Sequence, residues 1–215
     1  MRLLIRFSKD ETVRFLSHLD MQRLLHRALR RAKLPCAYSQ GFNPHLLLSF
    51  ACALPVGTSS RAEYAEVTLE KDVPPASAVQ ALNEALPGGV RVLAARAMGE
   101  NEKGVGSRIC RALYRLDADI LAEDAARIMN SDTLTAQKKT KTGITEVNIR
   151  PLIFDLHVQV GTLYALVACS NSENLRADVL AAALKARGIS VGLITRTKLF
   201  ITDGAEIVEP IGDTV

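Results

Sequence analysis

Residues 17–33 read SHLDMQRLLHRALRRAK, and this helix-forming stretch decides how the segments on either side are arranged. Ser17 offers a hydroxyl at the N-cap. Asp20, three residues on, completes a variant of the capping box and suits the positive end of the helix dipole. At about 100° per residue, His18, Met21, Leu25, Ala28, Leu29 and Ala32 share one apolar face. Arg23, Arg27, Arg30 and Arg31 fall on the opposite side, in a stripe about 10 Å long. Between Met21 and Lys33 there is no Asp or Glu, so helical i,i+4 pairing within that stretch does not account for the arginines.

Working outward, residues 2–8 form a strand before this helix. Residues 46–50 are a short extended piece after it, and 62–69 alternate as a strand. A helix starting at Pro74 or Pro75 runs to Leu86 and stops at Pro87-Gly88-Gly89, and 90–97 is a further strand. The order is β-α-β-β-α-β, the ferredoxin-like order. Residues 100–106 (ENEKGVG) are polar and aperiodic and read as a linker. The order then nearly repeats: strand 108–116, helix 118–129, a hairpin of 134–139 and 144–149, a second hairpin of 152–160 and 163–169, helix 175–187 closed by Gly188, and strand 189–200. The expected fold is therefore α+β, with two ferredoxin-like (βαββαβ) halves at 1–99 and 107–202. The second half carries an inserted β-hairpin, and a loose acidic tail spans 203–215.

Composition bounds the function. Of the 215 residues, 48% are hydrophobic, enough for a core, but aromatics are 5% and Trp is absent. Leu, Ile, Val and Ala must fill the interior, and few rings remain to stack on bases. No apolar run reaches the roughly 18–20 residues of a membrane span, and the N-terminal run is too short for a secretory signal, so a cytoplasmic protein without membrane contact is expected. Cys36, Cys52, Cys110 and Cys169 form neither a CxxC pair nor a CxxxCxxC triplet, which points to free thiols and leaves no zinc-ribbon or iron–sulfur spacing. Residues 1–50 hold nine Lys/Arg and three Asp/Glu, whereas the rest of the chain holds eighteen and twenty. All the excess positive charge lies in the first quarter, as on a polyanion-binding face.

The segment 34–57, LPCAYSQGFNPHLLLSFACALPVG, is too apolar for a plain solvent loop and too rich in Gly and Pro for a helix. Such a segment wraps a core while holding polar groups in place: Tyr38, Ser39, Gln40, Asn43 and His45. Gly41 suits a positive φ, and backbone N–H groups near it could nest an oxygen anion. His18 and His45 could act as an acid/base pair, with Tyr38 orienting a hydroxyl. Equally, His18 could be a satisfied histidine of the apolar face. Glu63 could orient His45 or an arginine, or stand on a strand surface. The positions 18, 20 and 45 match no common metal site, and no cofactor is expected.

RFLSHLD (14–20), RALRRAKLP (27–35), AYSQGFNPH (37–45), SFACALPVG (49–57) and S-x-x-EY (60–64) closely resemble the radical-SAM-associated domain family, which has no assigned biochemical function. KKTKTGITEVNIRPLI (138–153) resembles its second, weaker block. Leu46 departs from the pattern, standing where the family usually has a proline. The resemblance implies a cytoplasmic bacterial protein working with a radical SAM protein near RNA or ribosome maturation. The chain lacks a cluster-binding triplet, so any radical chemistry belongs to that partner. More distantly, the double ferredoxin-like order resembles RAMP-type RNA-processing proteins, a likeness of fold alone.

Three functions are consistent with these residues. The first is a non-catalytic RNA-binding module contacting RNA through Arg14, Arg23, Arg27, Arg30, Arg31, Tyr38, Ser39, Gln40, Gly41, Phe42, Asn43, His45 and the hairpin lysines Lys138, Lys139 and Lys141, with Ser17, Asp20 and Glu63 in support. The second is a metal-independent endoribonuclease using His18, His45 and Tyr38. The third is a protein-binding accessory subunit without RNA contact.

Overall fold

The computed structural model describes residues 1–140 and 143–212, apart from the side chains of residues 138–140 and 144. In chain order the elements are β1 (Arg2–Lys9), α1 (His18–Arg31), β2 (Leu48–Phe50), β3 (Thr58–Thr68), α2 (Pro75–Ala85) and β4 (Val90–Ala97). They continue with β5 (Ile109–Ala118), α3 (Ala122–Met129), β6 (Thr135–Thr140), β7 (Gly143–Asn148), β8 (Ile153–Gln159), β9 (Thr162–Ala168), α4 (Ala177–Ala186), β10 (Val191–Asp203) and β11 (Glu206–Val208). The fold is mixed α+β, with mostly antiparallel pairing. The chain divides into two compact units, one of residues 1–109 with the segment from 201 onward, the other of residues 110–200.

In the first unit the strand order is β4-β1-β3, and β2 adds to the far edge of β3. All these pairings are antiparallel. Alternate residues of the strands, Leu3, Ile5 and Phe7 on β1, Ala65 and Val67 on β3, and Val90 and Val92 on β4, face the helices. They pack on Met21, Leu24, Leu25, Ala28 and Leu29 of α1 and on Ala78 and Leu82 of α2. Each fully buried Leu or Ile contributes roughly 1.5–3 kcal/mol of transfer free energy. Asn83 stitches α2 to β4: its Nδ2 donates to Val92 O at 2.9 Å and its Oδ1 accepts Val92 N at 2.8 Å. Gly89 closes the α2–β4 turn at φ +88°, where a Cβ would lie 2.8 Å from Val13 Cγ1.

Residues 100–106 prove not to be a free linker. Glu102 pairs with Arg96 at 2.6 Å and Arg108 at 3.3 Å and accepts the Gly99 N–H, while Val105 is buried and donates its N–H to Glu66 Oε1 at 2.5 Å. These bonds fold the segment onto the first unit. The tail is likewise held as far as it is described: β11 pairs with residues 201–203, Pro210 O accepts Arg96 Nε at 3.1 Å, and Ile211 is buried, while residues 213–215 of the expected tail lie outside the described residues.

In the second unit the order is β10-β5-β9-β8, with β6 and β7 forming a separate hairpin. α3 packs on β8 and α4 on the hairpin strand β6. The expected helix from 118 begins instead at Ala122, because β5 continues to Ala118. Arg150 explains part of the second sequence block. Its guanidinium donates to Ile128 O, Met129 O and Ile153 O at 2.6–3.1 Å, closing the C-terminal end of α3. Asn148 holds the same corner, accepting Leu134 N and Arg150 N.

Candidate functional site

α1 begins with both halves of a capping box: Ser17 Oγ accepts Asp20 N, and Asp20 Oδ2 accepts Ser17 N and Ser17 Oγ. The hydroxyl bond from Ser17, with Arg23 and Arg27 nearby, holds the Asp20 carboxyl below its ordinary range. Arg23 lies 3.6 Å from Asp20. The arginines are therefore not wholly without acidic partners, because Asp20 sits one residue ahead of the acid-free stretch that starts at Met21. Arg27 and Arg30 are exposed and make no ion pair among the described residues. Positive charge is thus least compensated toward the C-terminal half of α1.

Segment 34–57 wraps the core along the part of β3 that β2 joins, as its composition suggests. Cys36 and Leu46 are buried in the core, and burial pushes the Cys36 thiol up to about 11. Backbone bonds Ala37 N to Thr68 O and Thr68 N to Leu47 O fix both arms of the segment on β3. Between the arms, residues 38–46 form a closed finger. Tyr38 and Leu46 are bridged, Ser39 N donates to His45 O at 2.8 Å, and His45 N donates to Ser39 Oγ at 3.0 Å. Ser39 Oγ also lies 2.7 Å from His45 Nδ1. Gly41 turns the tip at φ +120°, and Gln40, Phe42 and Asn43 are exposed there.

His26, on α1, lies within electrostatic reach of the finger. Its imidazole is held below the ordinary histidine range first by burial, then by the neighbouring charges of Arg30 and His45. Its Nε2 is buried and has no hydrogen-bond partner among the described residues. Around α1, His26 and Arg31 are separated by about 140°, with Arg23, Arg27 and Arg30 between them. One flank of the arginine row therefore faces the finger and the other faces α2. His26 escaped the sequence reading, although its i,i+4 spacing to Arg30 was a visible signal. Its approach to His45 depends on the return of the chain along β3, which no local pattern reveals.

Other expected residues lie apart from this cluster. Arg31 donates to Ala85 O, at the C-terminal end of α2, and lines a groove of about 500 Å³ with Lys33 and Glu84. His18 is neither in the core nor beside His45. It stands exposed in the first turn of α1, edge-on to Phe50 with ring centroids 5.0 Å apart. His18 shares a small pocket with Phe50 and Glu63, and His45 is not among the residues that line it, so no described contact brings the expected acid/base pair together. Side chains in the first helical turn project past the helix end, which a wheel ignores. Glu63 is buried, not a surface residue, and faces a small pocket with Lys9, His18 and Phe50 in place of His45. His45 instead borders a depression of about 260 Å³ with Ser49, Glu66 and Thr68. Arg14 precedes the helix, with its guanidinium 4.7 Å from the Phe15 ring centroid.

Lys138 and Lys139 belong to β6 of the second unit, their side chains outside the described residues, and Lys141 lies outside them altogether. Among the described residues no three His, Cys, Asp or Glu side chains converge as a metal-ligand cluster, and no helix is long and apolar enough to cross a membrane. The exposed groups on α1 and the finger are donors and cations: Arg27 and Arg30, with imidazole and amide groups from His45, Gln40 and Asn43 and the half-buried hydroxyl of Ser39 beside them. Such a surface suits an anion.

No curated protein matches the chain. A family model matches residues 2–177, most of its length, and the chain accordingly belongs to the bacterial family described as "Uncharacterized protein conserved in bacteria (DUF2344)".

Proposed function

We propose that the chain is a non-catalytic RNA-binding module, and that α1 with the finger 38–46 is its RNA-contacting surface. The observation that carries this is Arg27 and Arg30, exposed and without an ion pair among the described residues, with Arg30 and the finger's His45 both acting electrostatically on His26 of the same helix. Guanidinium forks match phosphate oxygens in pairs, and a row of them matches successive phosphates better than one compact anion. The resemblance to radical-SAM-associated domains supports a radical SAM enzyme as the working partner, in RNA or ribosome maturation in the cytoplasm.

Each unit fits a ferredoxin-like half. The support is the order β4-β1-β3-β2 in the first and β10-β5-β9-β8 in the second, with the β6–β7 hairpin inserted. The RAMP-type likeness adds only analogy. The nuclease alternative has less support, because no described contact joins His18 to His45.

Filter binding of ribosomal or transfer RNA across a salt series tests the proposal. Each phosphate contact contributes about 0.7 to the log–log slope on single strands. Arg27→Ala and Arg30→Ala should each lower that slope by about 0.7 and weaken binding evenly across sequences. Retention no greater than that of serum albumin would remove the RNA reading.

A further inference from the structure

Resting on that RNA-binding reading, we infer that the finger selects unpaired RNA, with Phe42 stacking on an exposed base while Arg30 and His45 take the flanking phosphates. Phe42 sits at the finger tip with a relative exposure of 110%, the most exposed large apolar side chain among the described residues. A scattered surface apolar residue is ordinary, but this one is displayed by a closed frame. The Tyr38–Leu46 bridge, the two reciprocal bonds between Ser39 and His45 and the Leu47 N to Ala37 O bond all lie below it. These bonds keep the tip from folding back to cover the ring. Tyr38 adds a second, half-exposed ring at the stem.

Charge selects the occupant. α1 carries the exposed Arg27 and Arg30, and the charge of Arg30 acts on His26 together with that of His45 on the finger, so an anionic ligand carrying flat apolar faces fits, and nucleic acid combines both. A single strand meets these demands and a duplex does not. In a duplex the bases are already stacked, and an RNA major groove is too narrow for a side chain to read. A ring offered to a free base is worth roughly ten- to a hundredfold in affinity. The stem bond between Ser39 Oγ and His45 Nδ1 occupies one ring nitrogen, leaving Nε2 to meet a phosphate or base edge.

The test is fluorescence anisotropy of the full-length chain with labelled 12-nucleotide oligouridine and with a 12-base-pair RNA duplex, each across a salt series. Wild type should bind the single strand at least tenfold more tightly. Phe42→Ala and Phe42→Leu should each lose about ten- to a hundredfold with the salt slope unchanged, and Phe42→Trp should keep the affinity. Because the ring is fully exposed, all three variants should retain the wild-type circular dichroism spectrum and Tm. Full affinity in Phe42→Leu would mean that an apolar hook and not a stacking ring is at work, and would overturn the inference. Equal affinity for the duplex would overturn it as well, while the RNA-binding reading would stand. Absence of salt-dependent binding to both probes would take down the RNA-binding reading and this inference together.

Discussion

A buried imidazole nitrogen without a hydrogen bond costs about 1–3 kcal/mol relative to a satisfied one. His26 Nε2 is such an atom, and Arg30 and His45 stand beside it. Burial and the two neighbours favour the neutral ring. Its folded pKa therefore lies below the ordinary 6.5, so the unfolded chain takes up the proton first. The stability this residue contributes is present above pH 6.5 and declines as the pH falls below it. In an NMR titration His26 should titrate below 6.5, and His45→Ala should move it upward. A His26 titration unchanged by His45→Ala would separate the finger from the helix. An anion bound at this flank would also raise the His26 pKa, by compensating the positive charge around it.

At the scale of elements, the glycine after α2 is a sharper test of local geometry than any core leucine. Gly89→Ala must place a Cβ against Val13 while keeping φ +88°, so it should lose roughly 1–3 kcal/mol in urea unfolding. A loss under half a kcal/mol would show that the turn can move. The strands and helices themselves were largely legible. Period-2 alternation over 62–69 marks β3, and the capping box of Ser17 and Asp20 marks the start of α1. What local pattern cannot carry is the meeting of distant segments. The arginine face of α1 was readable from spacing. The Arg23–Asp20 pair, at i,i+3 within α1, was open to the same spacing argument. The turn of Arg31 toward α2, the burial of Glu63 and the electrostatic reach of His45 to His26 were not, because each depends on a neighbour supplied by another element. The segment 100–106 misled for the same reason: polar, Gly-containing sequence looks free until Arg96, Arg108 and Glu66 are found around it.

Across the whole chain, the first unit gathers its sequence-distant parts around one carboxylate. Glu102 binds Arg96 and Arg108, and Arg108 also meets Asp203 at 2.8 Å. The hydrogen bond from Arg96, with the charge of Arg108, holds the Glu102 carboxyl down at about 2, against an ordinary 4.5. The folded state therefore binds fewer protons at this group. Its stabilisation is complete above pH 4.5 and fades as the pH falls toward 2. Glu102→Gln should cost about 1–3 kcal/mol at neutral pH, and the difference from wild type should narrow below pH 4.5. Guanidinium melts at several pH values would show it. A penalty that stays constant down to pH 2 would assign the loss to packing.

The cationic row on α1 and the finger that follows it do one job only if a single ligand touches both. The most direct measurement is an amide chemical-shift titration of the intact protein with oligouridine. Arg27, Arg30 and residues 38–46 should shift together along one saturating curve. Shifts confined to one of the two, or clustered at the groove lined by Arg31 and Glu84, would contradict a shared binding surface.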